Sequence, residues 1–131
     1  MVLDASAVVE WLLGSERGAA VVAALEADPD GVFFAPDLLD VEVVQVFRRL
    51  ARTAVVSDGR AADSIALLER LPVDRRPALP LLPRMWALRQ NLTAYDAAYV
   101  ALAEALDCAL LTCDARIRDA PGHVAEVRVV G

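Results

Sequence analysis

Four acidic residues stand where structural elements should begin or end: Asp4 in VLDASA, Glu42 in LLDVEVVQVFRR, Asp96 in LTAYDAAYVALAEAL and Asp114 in LLTCDARI. Each interrupts or borders a strongly apolar segment. A buried carboxylate is costly, and a second one nearby is worse. At about 5 Å and an effective dielectric near ~20, a pair repels by roughly 3 kcal/mol. A fold that gathers several acids usually holds a divalent cation against that repulsion. These residues therefore lead to the expectation of a metal-dependent phosphoryl-transfer site.

Each acid also has a simpler reading. Asp4 can cap a first helix, with Ser6 as a second cap or as a partner for a metal-bound water. Glu42 can be a solvated residue near a positive helix end, although Val41, Val43, Val44 and Val46 surround it. Gln45 and Arg49 follow it at i+3 and i+7, on the stripe that would orient Glu42 or touch a phosphate. Asp40 competes with Glu42, but its position suits the helix dipole better. Thr93-Ala-Tyr-Asp96 matches a capping box, yet small residues at Ala97, Ala98 and Ala101 admit close packing. Asp114 can be a turn residue, and Thr112 is placed to bind a phosphate or a metal-bound water. The inference rests on the four acids together.

The elements that must position them follow from periodicity. A strand is expected at 2–4, then a helix carrying Val8, Val9, Leu12 and Leu13 and ending at Gly14. A second helix runs from Glu16 to Ala27, and Val32 to Ala35 reads as a strand closed by Pro36. Asp37 is expected to cap a helix from Leu38 to Arg52, with Val43, Phe47 and Leu50 on one stripe. Ser57 caps a further helix, Leu71 to Arg75 is a weak strand, and Pro80 and Pro83 fit a helical first turn. Thr93 opens a helix from Ala94 to Leu106, Ala109 to Thr112 is a strand, and Val127 to Val130 is the last. The 131 residues fit one domain, 1–131. Alternating strands and helices give an α/β fold with a mainly parallel central sheet and helices on both faces. Sites in such sheets form beyond the carboxyl ends of the strands, an end that all four acids can share.

Composition narrows the chemistry. A net charge of −6 argues against a protein that grips nucleic acid by charge alone. All thirteen basic residues are Arg, which excludes Walker-type phosphate loops, Schiff-base enzymes and protein kinases, all of which need Lys. Cys108 and Cys113 are too few for a disulfide framework and badly spaced for zinc. No signal peptide is visible and the apolar runs break well before the ~20 residues that span a bilayer, so a soluble, cytoplasmic protein is expected. His123 reads as a surface residue, Tyr95 and Tyr99 as a packing pair, and Trp11 and Trp86 as core or dimer contacts. Arg48, Arg49 and Arg52 read as a polar helix face that is able to track an RNA backbone.

With the strings DASA, APDLLDVEVVQVFRRL, LTAYDAAYVALAEAL and ALLTCDARI in this order, the sequence resembles the PIN-domain family, specifically the VapC toxins of bacterial type II toxin–antitoxin pairs. The resemblance covers almost the whole chain. It implies an endoribonuclease using Mg2+ or Mn2+, with its acids at Asp4, Glu42, Asp96 and Asp114 and a hydroxyl at Thr112. It also implies a homodimer and a cognate VapB-like antitoxin whose tail occupies the acidic groove. One departure is Gln45, where the family often has Asn.

The expected reaction is in-line attack by metal-activated water on an RNA phosphodiester, with single-stranded loops as targets. Asp4, Asp96 and Asp114 would be direct ligands, and Glu42 would bind a second metal or orient the water. The competing readings are weaker. A response-regulator receiver needs a Lys, and a haloacid-dehalogenase-type phosphatase needs D-x-D where this chain has Asp4-Ala-Ser6. A non-catalytic interaction module that has kept the PIN fold is the remaining alternative.

Overall fold

The computed structural model describes residues Met1–Gly131. Five strands, β1 (Val2–Leu3), β2 (Phe33–Pro36), β3 (Val73–Arg76), β4 (Leu110–Thr112) and β5 (Val127–Val129), form one sheet in the order β3-β2-β1-β4-β5. Every pairing is parallel. Val2 lies opposite both Phe34 and Leu110, which places β1 at the centre. Strand order reverses at β1, with β2 on one side and β4 on the other. That reversal opens a crevice at the carboxyl ends of the central strands.

Seven helices connect the strands: α1 (Ala5–Leu13), α2 (Glu16–Glu26), α3 (Leu39–Arg52), α4 (Asp58–Leu68), α5 (Leu82–Ala87), α6 (Ala94–Leu106) and α7 (Ala115–Asp119). Helices α1 to α4 pack on one another, and α5 packs on α6. The chain moves outward from β1 to β3 and then returns to β4. Right-handed crossovers therefore put α1–α4 and α5–α6 on opposite faces. The core runs through both layers, with Val2, Leu3, Val8, Leu39, Val43, Phe47, Tyr99, Leu110 and Leu111 fully or almost fully buried. Helix α6 is buried continuously from Ala97 to Ala103, because alanines at 97, 98, 101 and 103 let it lie close to the sheet.

Local capping explains most of the boundaries. The Asp4 side chain accepts from the Ala7 N–H and opens α1, so the first strand stops one residue before the expected end. Gly14, at φ 62°, closes α1 in the left-handed conformation that glycine favours. Ser15, Ser57 and Thr93 cap α2, α4 and α6. Gly18 sits where α2 touches α1, and a Cβ there would fall 2.1 Å from the Glu10 carbonyl oxygen.

Among the boundaries that differ from expectation, three have an instructive cause. Asp37 does not cap α3: Leu38 holds that position without a side-chain bond. The Asp37 carboxylate instead accepts from the Ala78 N–H, 3.3 Å away, tying β2 to the segment after β3. Pro36 does not close β2 from outside but is its last residue, opposite Arg76. The Phe34 N–H bonds to the Met1 carbonyl and the Asp37 N–H to the Arg76 carbonyl, so the missing N–H of Pro36 faces the last residue of β1, where pairing stops. The weak third strand is real but begins at Val73, two residues late.

Candidate active site

Asp4 leaves the central strand and is only 5% exposed. Its Oδ1 accepts from Ser6 Oγ at 2.6 Å and from the Ala7 N–H at 3.0 Å. Its Oδ2 accepts a short bond from the Thr112 hydroxyl at the end of β4. Ser6 Oγ in turn accepts from the Cys113 N–H at 2.9 Å, and Thr112 Oγ1 from the Asp114 N–H at 3.0 Å. With both hydroxyl protons committed to Asp4, the 3.3 Å between Ser6 and Thr112 is a contact between acceptors. This network fastens the ends of β1 and β4 and aims one carboxylate. Burial pushes the Asp4 carboxyl above its usual range, the donors from Ser6, Thr112 and Ala7 resist, and Asp96 adds to the rise.

Three other acids face the same space. Glu42 projects from the first turn of α3. Burial raises it, the nearby Tyr99 hydroxyl opposes, and Asp96 and Asp4 raise it further. The Tyr99–Glu42 approach falls short of a full hydrogen bond, since Tyr99 Oη and Glu42 Oε1 are both buried without a partner. We read it as an electrostatic contact. Asp96, in the first turn of α6, is raised by burial and by Asp114, against the Thr93 hydroxyl and Arg116. Asp114 caps α7 and behaves in the opposite way. Its ion pair with the exposed Arg116, at 2.7 Å, holds it below the usual carboxylate range.

Asp4, Glu42, Asp96 and Asp114 line one cavity of about 430 Å³. No three of them are drawn together as tightly as a single coordination shell, and two already have protein partners: Asp4 its hydroxyls, Asp114 its arginine. Ser6 and Arg49 also line the cavity. Thr112 is fully buried and does not line the cavity, so it holds Asp4 and the Asp114 backbone in place instead of meeting a ligand. Gln45 lies outside, in an adjoining depression with Arg48, Arg49, Arg52 and Thr53. Three helical positions after Glu42, it turns away from the acids while Val46, at the next position, turns in.

Sequence reasoning missed Glu10, Arg17 and Tyr99 on the cavity wall. Glu10 is one helical turn from Ser6, and Tyr99 is three residues from Asp96; both spacings mark a shared helix face. Tyr95 and Tyr99 are no packing pair, as Tyr95 is 63% exposed and Tyr99 is buried. Cys113 lines the cavity as a free thiol, and burial and then Asp4 push its pKa up, which disfavours the thiolate. His123 is less exposed than expected: its Nε2 sits 2.9 Å from the Ile117 carbonyl. Trp86 is no core residue; it is exposed, with the Arg89 guanidinium 4.4 Å over its ring.

The pattern of the PIN domain family matches residues 1–122. The chain belongs to the PIN-domain family. This PIN domain is 40% identical over 130 residues to Ribonuclease VapC12 of Mycobacterium tuberculosis (strain ATCC 25618 / H37Rv), covering 99% of this chain and 98% of the relative. It is 41% identical to Ribonuclease VapC1 of the same strain, over 98% and 96% of the two chains. Among solved structures it superposes with a TM-score of 0.70 on Mycobacterium tuberculosis VapC20, described as a toxin that cleaves the sarcin-ricin loop. That likeness, at 17% identity over 94% and 95% of the chains, shows the shared fold. No helix of this PIN domain is long and apolar enough to cross a membrane.

Proposed function

We propose that this PIN domain is a metal-dependent endoribonuclease, the toxin of a pair whose partner is a VapB-like antitoxin. The observation that carries the reading is the meeting of four carboxylates in one cavity where strand order reverses. The relatives' description as VapC ribonucleases supports it.

The donor chemistry suits a hard divalent cation, Mg2+ or Mn2+, with the carboxylates drawing closer around it than they stand alone. The donor set is all carboxylate oxygen. Glu42 Oε1 is buried without a partner, and Asp4, Glu42 and Asp96 all resist ionising in its absence. Asp4, Asp96 and Asp114 would hold it, with Glu42 beside them. Such an ion supplies charge against the phosphate and lowers the pKa of a water.

The chain's own residues do the rest. Ser6 and Thr112 fix the orientation of Asp4. Glu42 Oε1, free of protein donors, orients the attacking water and accepts its proton. Arg116, paired with Asp114 at the cavity and itself exposed, is placed to meet the phosphate beside that acid. Arg49 meets the strand where it enters the cavity. A homodimer, a cytoplasmic location and a single functional unit over residues 1–131 complete the proposal. Strand β5 pairs with β4 and lies beyond the matched residues, which supports that last extent.

The test is RNA cleavage by purified protein, with the 5′ ends of the fragments sequenced. Defined cuts with Mg2+ or Mn2+, lost in excess EDTA and in Asp96→Asn, are expected. Full cleavage in EDTA would falsify the metal-dependent reading.

A further inference from the structure

The chain carries thirteen arginines against nineteen acids. Six ion pairs engage Arg75, Arg76, Arg84, Arg116, Arg118 and Arg128. None engages Arg48, Arg49 or Arg52, and all three are exposed on α3. With Gln45 and Thr53 they line a depression that contains no acid and no apolar side chain. Arg49 lines both this depression and the acidic cavity, so the two adjoin at that side chain. From Glu42 to Arg52 the helix rises roughly 15 Å at ~1.5 Å per residue. Positions 42, 45, 49 and 52 recur at three- and four-residue spacing along one side.

A basic stripe without counter-charges is unusual on a chain of net charge −6. Two of its members lie in the last turn of α3, where arginines also offset the helix dipole. That role does not explain Arg48, nor why the stripe adjoins the acids. An overall negative protein that handles a polyanion needs a local positive track leading to the reacting group. Guanidinium forks match phosphate oxygens in geometry as well as charge.

We propose that Arg48, Arg49 and Arg52, with Gln45, form a phosphate-binding track that seats single-stranded RNA on one side of the scissile bond. The proposal rests on the ribonuclease reading above and gives that site a directional substrate path. The track reads backbone, so it contributes affinity and register and no base preference. Gln45 hydrogen-bonds a phosphate or ribose oxygen here, which gives the residue excluded from the acid cavity a role beside it.

The test is the salt dependence of binding. A fluorescent single-stranded oligoribonucleotide is titrated with the Asp96→Asn protein in Mg2+, across a series of monovalent salt concentrations. Each phosphate neutralised contributes about 0.7 to the slope of log K against log salt for single strands. Arg48→Ala/Arg52→Ala is expected to lower that slope by roughly 1.4. Arg70→Ala, an exposed arginine outside α3, makes a charge control whose slope stays put. Arg48→Lys/Arg52→Lys keeps the charge and is expected to keep the slope. A dipole role alone would move the melting temperature and leave the slope intact.

An unchanged slope in the double alanine variant, with wild-type protein cleaving RNA, overturns the track and hands the stripe to an acidic protein partner. A slope lost equally in the lysine variant also overturns it, because charge would then not be the cause. Absence of metal-dependent cleavage by wild-type protein sinks the ribonuclease reading itself, a separate and visible failure.

Discussion

Thr112→Val removes one hydroxyl and almost no volume at a fully buried position, which makes it a sharp probe of how the site is built into the fold. The hydroxyl donates to the Asp4 carboxylate and accepts from the Asp114 N–H. A hydrogen bond to a charged group contributes about 1.5–3 kcal/mol, and its loss leaves a buried carboxylate short of a donor. The Asp114 N–H lies nearer the surface, where water replaces most of what is lost. The sum is a destabilisation of roughly 2–4 kcal/mol at neutral pH, a large share of the ~5–15 kcal/mol typical of a domain. For a chain of this length that corresponds to a melting temperature lower by roughly 10 °C.

The deficit should also depend on pH in a set direction. Asp4 already titrates above its usual range, and one of the bonds resisting that rise is the one removed. Between its unfolded and folded pKa the folded state binds more protons than the unfolded one, so stability falls as pH rises through that window. Thr112→Val widens the window. The gap between variant and wild type is therefore smallest near the ordinary carboxyl value of about 4 and grows toward neutrality. Circular-dichroism melts of both proteins from mildly acidic to neutral pH, in EDTA, measure it. Thr112→Ser, which keeps the hydroxyl, should recover most of the loss. A deficit below about 0.5 kcal/mol at neutral pH, or one that does not change with pH, would refute the claim that Thr112 holds Asp4 in its charged form.

Three further outcomes are expected. Asp96→Asn should melt higher than wild type in EDTA at neutral pH, because it removes a carboxylate that burial and Asp114 disfavour; the difference should vanish in acid, and a lower melt would contradict the repulsion. Tyr99→Phe removes the hydroxyl that favours ionised Glu42, so the acidic limb of the cleavage profile should move to higher pH; a limb that stays or moves down argues against Glu42 as proton acceptor. Gly18→Ala should cost at least about 1–3 kcal/mol in urea denaturation, because its Cβ meets the backbone oxygen of Glu10 and not a mobile side chain.

The sheet was readable because β1, β2 and β4 are short apolar runs that end at or just before a polar residue or proline, and because α1, α2, α4, α6 and α7 each carry a side-chain cap. The meeting of the acids was readable for a related reason: Asp4 directly follows β1 and Asp114 lies two residues past β4, strands that the α/β pattern makes parallel, and Asp96 lies in the first turn of the helix leading into β4. Asp37 misled because it has the right side chain one residue too early, and its carboxylate found a backbone N–H across the sheet end instead. Gln45 misled because helical spacing gives a face but not where that face stops; the wall turns from acidic to basic within one turn of α3. Arg17 carries no local signal at all, since only the packing of α1 against α2 brings it to the cavity.

Binding of a divalent cation by the gathered carboxylates is the claim from which the rest follows, and melting temperature against Mn2+ concentration tests it most directly. A ligand that binds only the folded state adds about 2.7 kcal/mol at a hundred times its Kd. Wild-type protein should therefore melt progressively higher through the millimolar range, and Asp96→Asn should show little or none of that rise. A wild-type melting temperature that does not move in millimolar Mn2+, or a rise of equal size in Asp96→Asn, would contradict the account.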